Sequence, residues 1–198
     1  MLRKGECYFS QKELVFSSFG YGVTDNVSVM VGSVVPTWFM SSGQNLVGGI
    51  KIGGDFGDVW HLAAGAQGFL LPFSTSSGGQ PAGFGMVFGT ATVGTELLNV
   101  TVSVGEGMGT VGGPSFANTP IIVASATWRV APNVALETEN WIFPNLDNTR
   151  VGAPLAQVLG SGGVRLMNQY LAADLGFIVT SGVPFPVPWV DFTYNFGR

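Results

Sequence analysis

The side chains able to do proton-transfer or covalent chemistry are few: one histidine, His61, one cysteine, Cys7, and 12 carboxylates in 198 residues. Histidine is the usual general base near neutral pH, and no Ser-His-Asp arrangement can be assembled without His61. A single His and a single Cys offer no spacing for a transition-metal cluster, so neither metal nor cofactor is expected, and no catalytic residue is assigned. Glu137 and Glu139 stand two apart and could be imagined as an acid–base pair. The simpler reading is that they offset Arg129 on the neighbouring strand of the same hairpin, or Arg165 and Lys51 elsewhere, because charges withdrawn from water must pair. Gly105-Glu106-Gly107-Met108-Gly109 has the look of a phosphate loop, but such a loop joins a strand to a helix, and this run lies inside a strand. Asn99-Val100-Thr101 matches a glycosylation sequon by chance, and Cys7, preceded by Gly5-Glu6, lacks the context of a lipoprotein cleavage site. An enzyme would have to work through Asp147, Asn148, Ser161 or Glu106.

The elements that carry these residues are set by an unusual composition. Lys, Arg, Asp and Glu make up 10% of the chain, against about 25% in an average soluble domain. Hydrophobic residues make up 46%, the net charge is -4 and there are 30 glycines. A disordered chain needs high charge and a nucleic-acid binder needs a basic patch, so both are excluded. Every apolar run is interrupted before the roughly 18 residues of a membrane-crossing helix.

Turn signals recur, each opening an alternating run: Thr24-Asp25-Asn26, Gly57-Asp58, Leu98-Asn99, Ala131-Pro132-Asn133 and Asn168-Gln169-Tyr170. Tight turns between alternating runs mark β-hairpins. Between them lie longer connections rich in Gly, Pro, Ser and Asn, at 40–45, 73–80, 112–118, 145–157 and 181–188. Tight turns therefore gather at one end and long loops at the other, which is an up-and-down antiparallel meander. Strands are expected at 13–23, 27–38, 46–56, 59–71, 82–95, 100–110, 119–130, 134–143, 158–167, 171–180 and 188–196, after an N-terminal loop segment, 1–12. At 10 or 11 residues they have the length of tilted strands crossing a bilayer.

Side chains two apart share a face. Strand by strand, Lys51, His61, Gln67, Arg129, Glu137, Glu139, Arg165, Asp174 and Asp191 fall opposite the apolar positions. Glu106 breaks the rule, being in phase with Val100, Val102 and Val104, and needs a bulge or a position above the apolar band. There are too few charges to coat the outside of a soluble barrel. The apolar face therefore points to lipid, the polar residues line a lumen that Gly49, Gly65 and Gly105 keep roomy, and the sheet must close to pair its backbone. Trp60 and Trp128, next to tight turns, suit a headgroup-level girdle, while Trp38, Trp141 and Trp189 lie toward other strand ends.

The closing run Trp189-Val190-Asp191-Phe192-Thr193-Tyr194-Asn195-Phe196 resembles the terminal strand recognised by the outer-membrane barrel assembly machinery. Phe192, Tyr194 and Phe196 are its lipid-interface aromatics, and Gly197-Arg198 extend it beyond the final aromatic on which the commonest form of that signal ends. Segments 4–9, 21–29 and 137–141 resemble uncharacterised outer-membrane β-barrel proteins of Gram-negative bacteria. That resemblance implies a fold and a location and carries over no catalytic residue. It also implies that Lys4-Gly5-Glu6 follows an earlier strand, so that the chain lacks its first strand and its signal peptide.

The expectation is thus one all-β domain over 1–198, an antiparallel transmembrane barrel of about 10 to 12 strands in the bacterial outer membrane. It would be a non-enzyme giving small solutes a porin-like passage, or serving as a structural or surface-loop barrel, with outer-membrane lipid and the assembly machinery as partners and no nucleic acid. Two alternatives stay open: an outer-membrane hydrolase or acyltransferase acting through rim residues, and a soluble lipocalin-like barrel holding a ligand in an apolar interior.

Overall fold

The computed structural model of the chain describes residues 2–12, 15–35, 45–71, 82–109, 115–144, 156–180 and 183–197. Twelve strands follow one another: β1 (Cys7–Lys12), β2 (Phe16–Thr24), β3 (Val27–Val34), β4 (Leu46–Phe56), β5 (Trp60–Leu71), β6 (Ala82–Gly94), β7 (Leu98–Gly109), β8 (Ser115–Ala131), β9 (Val134–Pro144), β10 (Ala156–Met167), β11 (Leu171–Thr180) and β12 (Val183–Phe196). Each pairs antiparallel with its sequence neighbours, and β1 pairs with β12 to close the barrel. Up-and-down order with closure gives each strand a partner on both sides, as a hydrocarbon environment demands.

The even count comes from Cys7–Lys12, which lies within the segment expected to be loop. Cys7 opposes Phe196 and Lys12 opposes Asp191, so both described ends of the chain sit at the tight-turn end. The alternation of β1 reads weakly because Gln11 takes an outward position and Tyr8 an inward one.

Other boundaries move for local reasons. The third tight turn is Thr95-Glu96-Leu97 rather than Leu98-Asn99, with the Thr95 hydroxyl accepting from the Leu97 N–H at 3.2 Å and Leu98 already in β7. The last strand starts at Val183, not near 188, although it contains Pro184, Pro186 and Pro188. Residues 184, 186 and 188 have one parity, so the N–H positions they vacate all point the same way. β1 meets β12 only over 191–196, which leaves an unpaired edge where prolines cost no ladder bond.

The inside and outside of the molecule are reversed relative to a soluble domain. Among the described residues Ala135 is the only apolar side chain fully buried, whereas Ser10, Ser18, Ser33, Asn45 and Asp174 are buried polar ones. Large apolar side chains face out along every wall, Ile52 at 54%, Val102 at 44% and Leu175 at 51% exposure among them. Such a belt needs lipid, not water, around it, the opposite of the apolar interior that a soluble lipocalin-like barrel would have. Tyr21, Phe56, Trp60, Trp128, Tyr194 and Phe196 are exposed around the tight-turn end, where an interfacial girdle belongs.

Candidate functional site

Cross-strand partners share a face, so the register shows whether the faces read strand by strand join into one lumen. They do. One row runs Asp55, His61, Thr92, Thr101, Ser125, Glu139, Ser161 across seven strands. A second runs Asp191, Asp174, Arg165, Ala135, Arg129. A third runs Gly22, Ser28, Lys51, Gly65, Phe88, Gly105. Gln67 stands on the same face, between Gly49 and Met86, and its amide nitrogen lies 3.2 Å from the Met86 sulfur.

These rows build a lumen with two unlike walls. On β9–β12 the charges form a network: Arg165 Nε and Nη2 donate to the two oxygens of Asp174, both at 2.7 Å, and Nη2 lies 3.3 Å from Glu137. The bidentate geometry is the strong form of a guanidinium–carboxylate pair. Asp174 can be buried because Arg165 answers it across one ladder; Asp191, the like charge across the other, is faced in turn by Lys12 from β1. Glu139 accepts from the Trp141 indole nitrogen at 2.7 Å. Glu137 and Glu139 are therefore members of a packed lumen wall: one is engaged by Arg165 and the other by an indole.

On β6 and β7 the wall is neutral and hydroxylated. Thr90 and Ser103 meet at 2.8 Å and Thr92 and Thr101 at 2.7 Å. Below them, at the tight-turn end, His61 Nδ1 lies 2.6 Å from Asp55, and the Arg129 guanidinium reaches Glu96 only at 4.0 Å. Lys51, on β4, faces the Arg165 network from the far side of the ring, since β4 and β10 are six strands apart in a closed set of twelve. Among the described residues it has no hydrogen-bond or ion-pair partner.

The free space inside follows these walls. A vestibule of about 1060 Å³ opens at the tight-turn end, with Asp25, Asp55, His61, Lys51 and Arg165 on its lining. A cavity of about 350 Å³ lies against Arg165, Glu137, Glu139, Lys12, Trp141 and Trp189. Another, of about 300 Å³, lies against Lys51, Tyr8, Ser28, Met30, Gln67 and Phe88. Arg165 borders both the first and the second space, and Lys51 both the first and the third.

The residues singled out as possible catalytic groups do not come together. Ser161 faces the lumen, but its hydroxyl donates to the Glu139 carbonyl at 3.1 Å, and His61 is committed to Asp55 at the tight-turn rim. Glu106 stays in the outward phase between Val87 and Pro120; the register shift follows it, between Glu106 and Met108, and does not turn it inward. Asp147, Asn148 and Trp38 lie outside the described residues. Trp141 and Trp189 line the lumen rather than a girdle. Sequence reasoning missed Tyr8, Lys12 and the column Phe84-Met86-Phe88-Thr90-Thr92 on β6, although the period-two pattern of that column is plain in the chain once β6 is placed.

No family profile and no curated protein matches the sequence. Solved structures do match in shape. The KdgM porin in complex with disordered oligogalacturonate superposes with a TM-score of 0.66 at 6% identity, covering 97% of this chain and 98% of that one. The NanC porin gives 0.57 at 8% identity over 96% and 97%. The translocator domain of the autotransporter NalP from Neisseria meningitidis gives 0.51 at 9% identity over 98% and 86%. The chain has the closed-barrel fold of bacterial outer-membrane porins, and its apolar outside is built for that membrane.

Proposed function

We propose that this barrel is a passive channel for small polar solutes across the outer membrane. The observation that carries the reading is a polar-lined vestibule of about 1060 Å³ at the tight-turn end, two of whose borders, Arg165 and Lys51, each also line a smaller cavity inside the barrel. Twelve strands fall between the eight whose side chains fill the interior and the 16 to 18 of water-filled porins, so a narrow passage constricted at Lys51 and Arg165 is the expected result. Tight turns face the periplasm in barrels of this type, which makes the vestibule the inner mouth. The exposed apolar belt is the lipid contact, and β12 with Tyr194 and Phe196 supplies the signal to the assembly machinery.

The test is planar-bilayer recording of protein first shown to be folded by a boiling-dependent gel shift. Unitary steps in KCl are expected. Folded protein that inserts and gives no steps refutes passage and leaves a structural barrel.

A further inference from the structure

We infer that the lumen holds a binding site for a small organic monoanion with a flat apolar body, such as an aromatic carboxylate, with its carboxylate on Lys51 and its body against Phe88, Tyr8 and Met30. The inference deepens the passage reading and rests on it only for the route by which the ligand arrives.

The cation comes first. Lys51 is half-buried on the lumen face, and among the described residues it is without a counter-ion, whereas Arg165 across the ring is doubly engaged. A cation withdrawn from water and unpaired within the protein is completed by an anion from outside. Gly65 and Ser28 flank it on the ladder and add no charge, and the space a side chain at Gly65 would take is filled by the Phe88 ring.

The rest of the cavity selects what the anion is attached to. The Phe88 ring lies over Gly65: a Cβ there would come 2.6 Å from the ring's ζ carbon, so the ring reaches across toward Lys51. Tyr8 lies in the same way over Gly20, and the Met30 methyl over Gly49. Two rings and a thioether thus line the same cavity as Lys51, with Gln67 and Ser28 the only other polar side chains on the lining. A strongly hydrated sugar acid would leave these surfaces unused, while an aromatic carboxylate buries its ring against them. The approach has the same character. Phe84, Met86 and Phe88 descend β6 at alternate positions, Phe84 stacking on Phe69 at 4.9 Å near the loop end. The volume of about 300 Å³ is at the lower end of small-ligand sites and suits one ring with one carboxylate.

The experiment uses the full chain refolded in detergent, with saturation-transfer NMR and benzoate as the probe, and bilayer recording in parallel. Saturation transfer from the protein to benzoate is expected, about tenfold weaker to neutral benzyl alcohol, and about tenfold weaker to benzoate from the Lys51→Met and Lys51→Gln variants, with the variants keeping their gel shift. Glucuronate should compete poorly, and Phe88→Ala should weaken benzoate binding. Equal benzoate signal in wild type and both Lys51 variants overturns the proposal. Glucuronate competing as well as benzoate overturns its apolar half. Lys51-dependent benzoate binding in a barrel that gives no unitary current upholds the site and refutes the passage reading.

Discussion

Removing Arg165 tests whether the charged wall is a network held by one guanidinium. Asp174 is the most withdrawn charge, its side chain 4% exposed, while Glu137 is 15% and Arg165 37% exposed. Deleting one partner of a fully buried pair costs about 3–5 kcal/mol, because the other charge is left uncompensated. With Arg165 more than a third wet, solvent screening lowers the expectation to about 2–3 kcal/mol for Arg165→Met. Asp174→Asn leaves the guanidinium its second partner at 3.3 Å and should cost about 1–2 kcal/mol. Glu137→Gln, which leaves the bidentate pair intact, should cost under about 1 kcal/mol. The double variant Arg165→Met/Asp174→Asn should be more stable than Arg165→Met alone, since the orphaned carboxylate is gone. Urea unfolding of refolded protein in lipid vesicles, followed by tryptophan fluorescence, gives the order; Trp189 borders the same cavity and reports on it. An Arg165→Met midpoint no lower than that of Glu137→Gln would refute the network.

Other outcomes follow from the same geometry. Val102→Arg, on the lipid face between Ala91 and Ala124, should cost about 2–4 kcal/mol, while Thr101→Arg next to it should fold and lower conductance; equal stabilities would mean the faces are assigned the wrong way round. Gly176→Ala places a Cβ 2.5 Å from the Trp189 indole nitrogen and should lose about 1–3 kcal/mol with a shift in fluorescence. Gly89→Ala, with nothing within 4 Å, should be neutral in the same unfolding assay. Phe196→Ala should lower the amount of barrel recovered from outer membranes in cells while sparing unassisted folding in detergent; a parallel loss in both would assign Phe196 to stability rather than to the assembly signal.

What could be read from the chain was what period two and turn chemistry determine. Asp25-Asn26, Gly57-Asp58 and Pro132-Asn133 mark hairpins because few residue types fit a tight turn, and a strand's faces follow once one end is fixed. The lumen placement of Lys51, Arg165 and Asp174 was accessible in that way. Which lumen residues meet was not, because contact depends on register between strands. Arg165 reaches Asp174 because β10 and β11 pair at that step, and a slip of one residue would put an aliphatic side chain opposite the guanidinium. β1 was hidden for a different reason: six residues with Gln11 outward and Tyr8 inward carry too little alternation to stand out, and only the need of β12 for a partner makes them a strand. Trp189 was ambiguous in kind, since an indole suits a girdle as well as a lumen glycine seat, and only Gly163 and Gly176 beneath it decide.

The two walls bear on why Lys51 has no counter-ion among the described residues. On β6–β7 each hydroxyl is answered by the hydroxyl across the ladder, so that wall asks nothing of a solute and repels none. On β9–β12 the carboxylates Asp174 and Glu137 meet Arg165 and Glu139 meets an indole, so the charges of that wall are largely compensated within it. Lys51 sits on β4, where the neighbouring lumen positions are Ser28, Gly49, Gly53 and Gly65, none able to neutralise it. Holding an ammonium half-buried without a partner costs stability that a glutamine would not, and the glycines that deny it a partner seat the Phe88 ring and the Met30 methyl instead. A wall meant only to be inert would have the hydroxyls of β6 continued onto β4. If the barrel conducts as proposed, a counter-ion that comes and goes at Lys51 would tie its selectivity to one side chain, and Lys51→Gln should alter which ions pass more than it alters whether the barrel folds. Reversal potentials in a KCl gradient, read beside the gel shift, separate the two: a folded Lys51→Gln barrel with unchanged ion preference would remove Lys51 from the passage altogether.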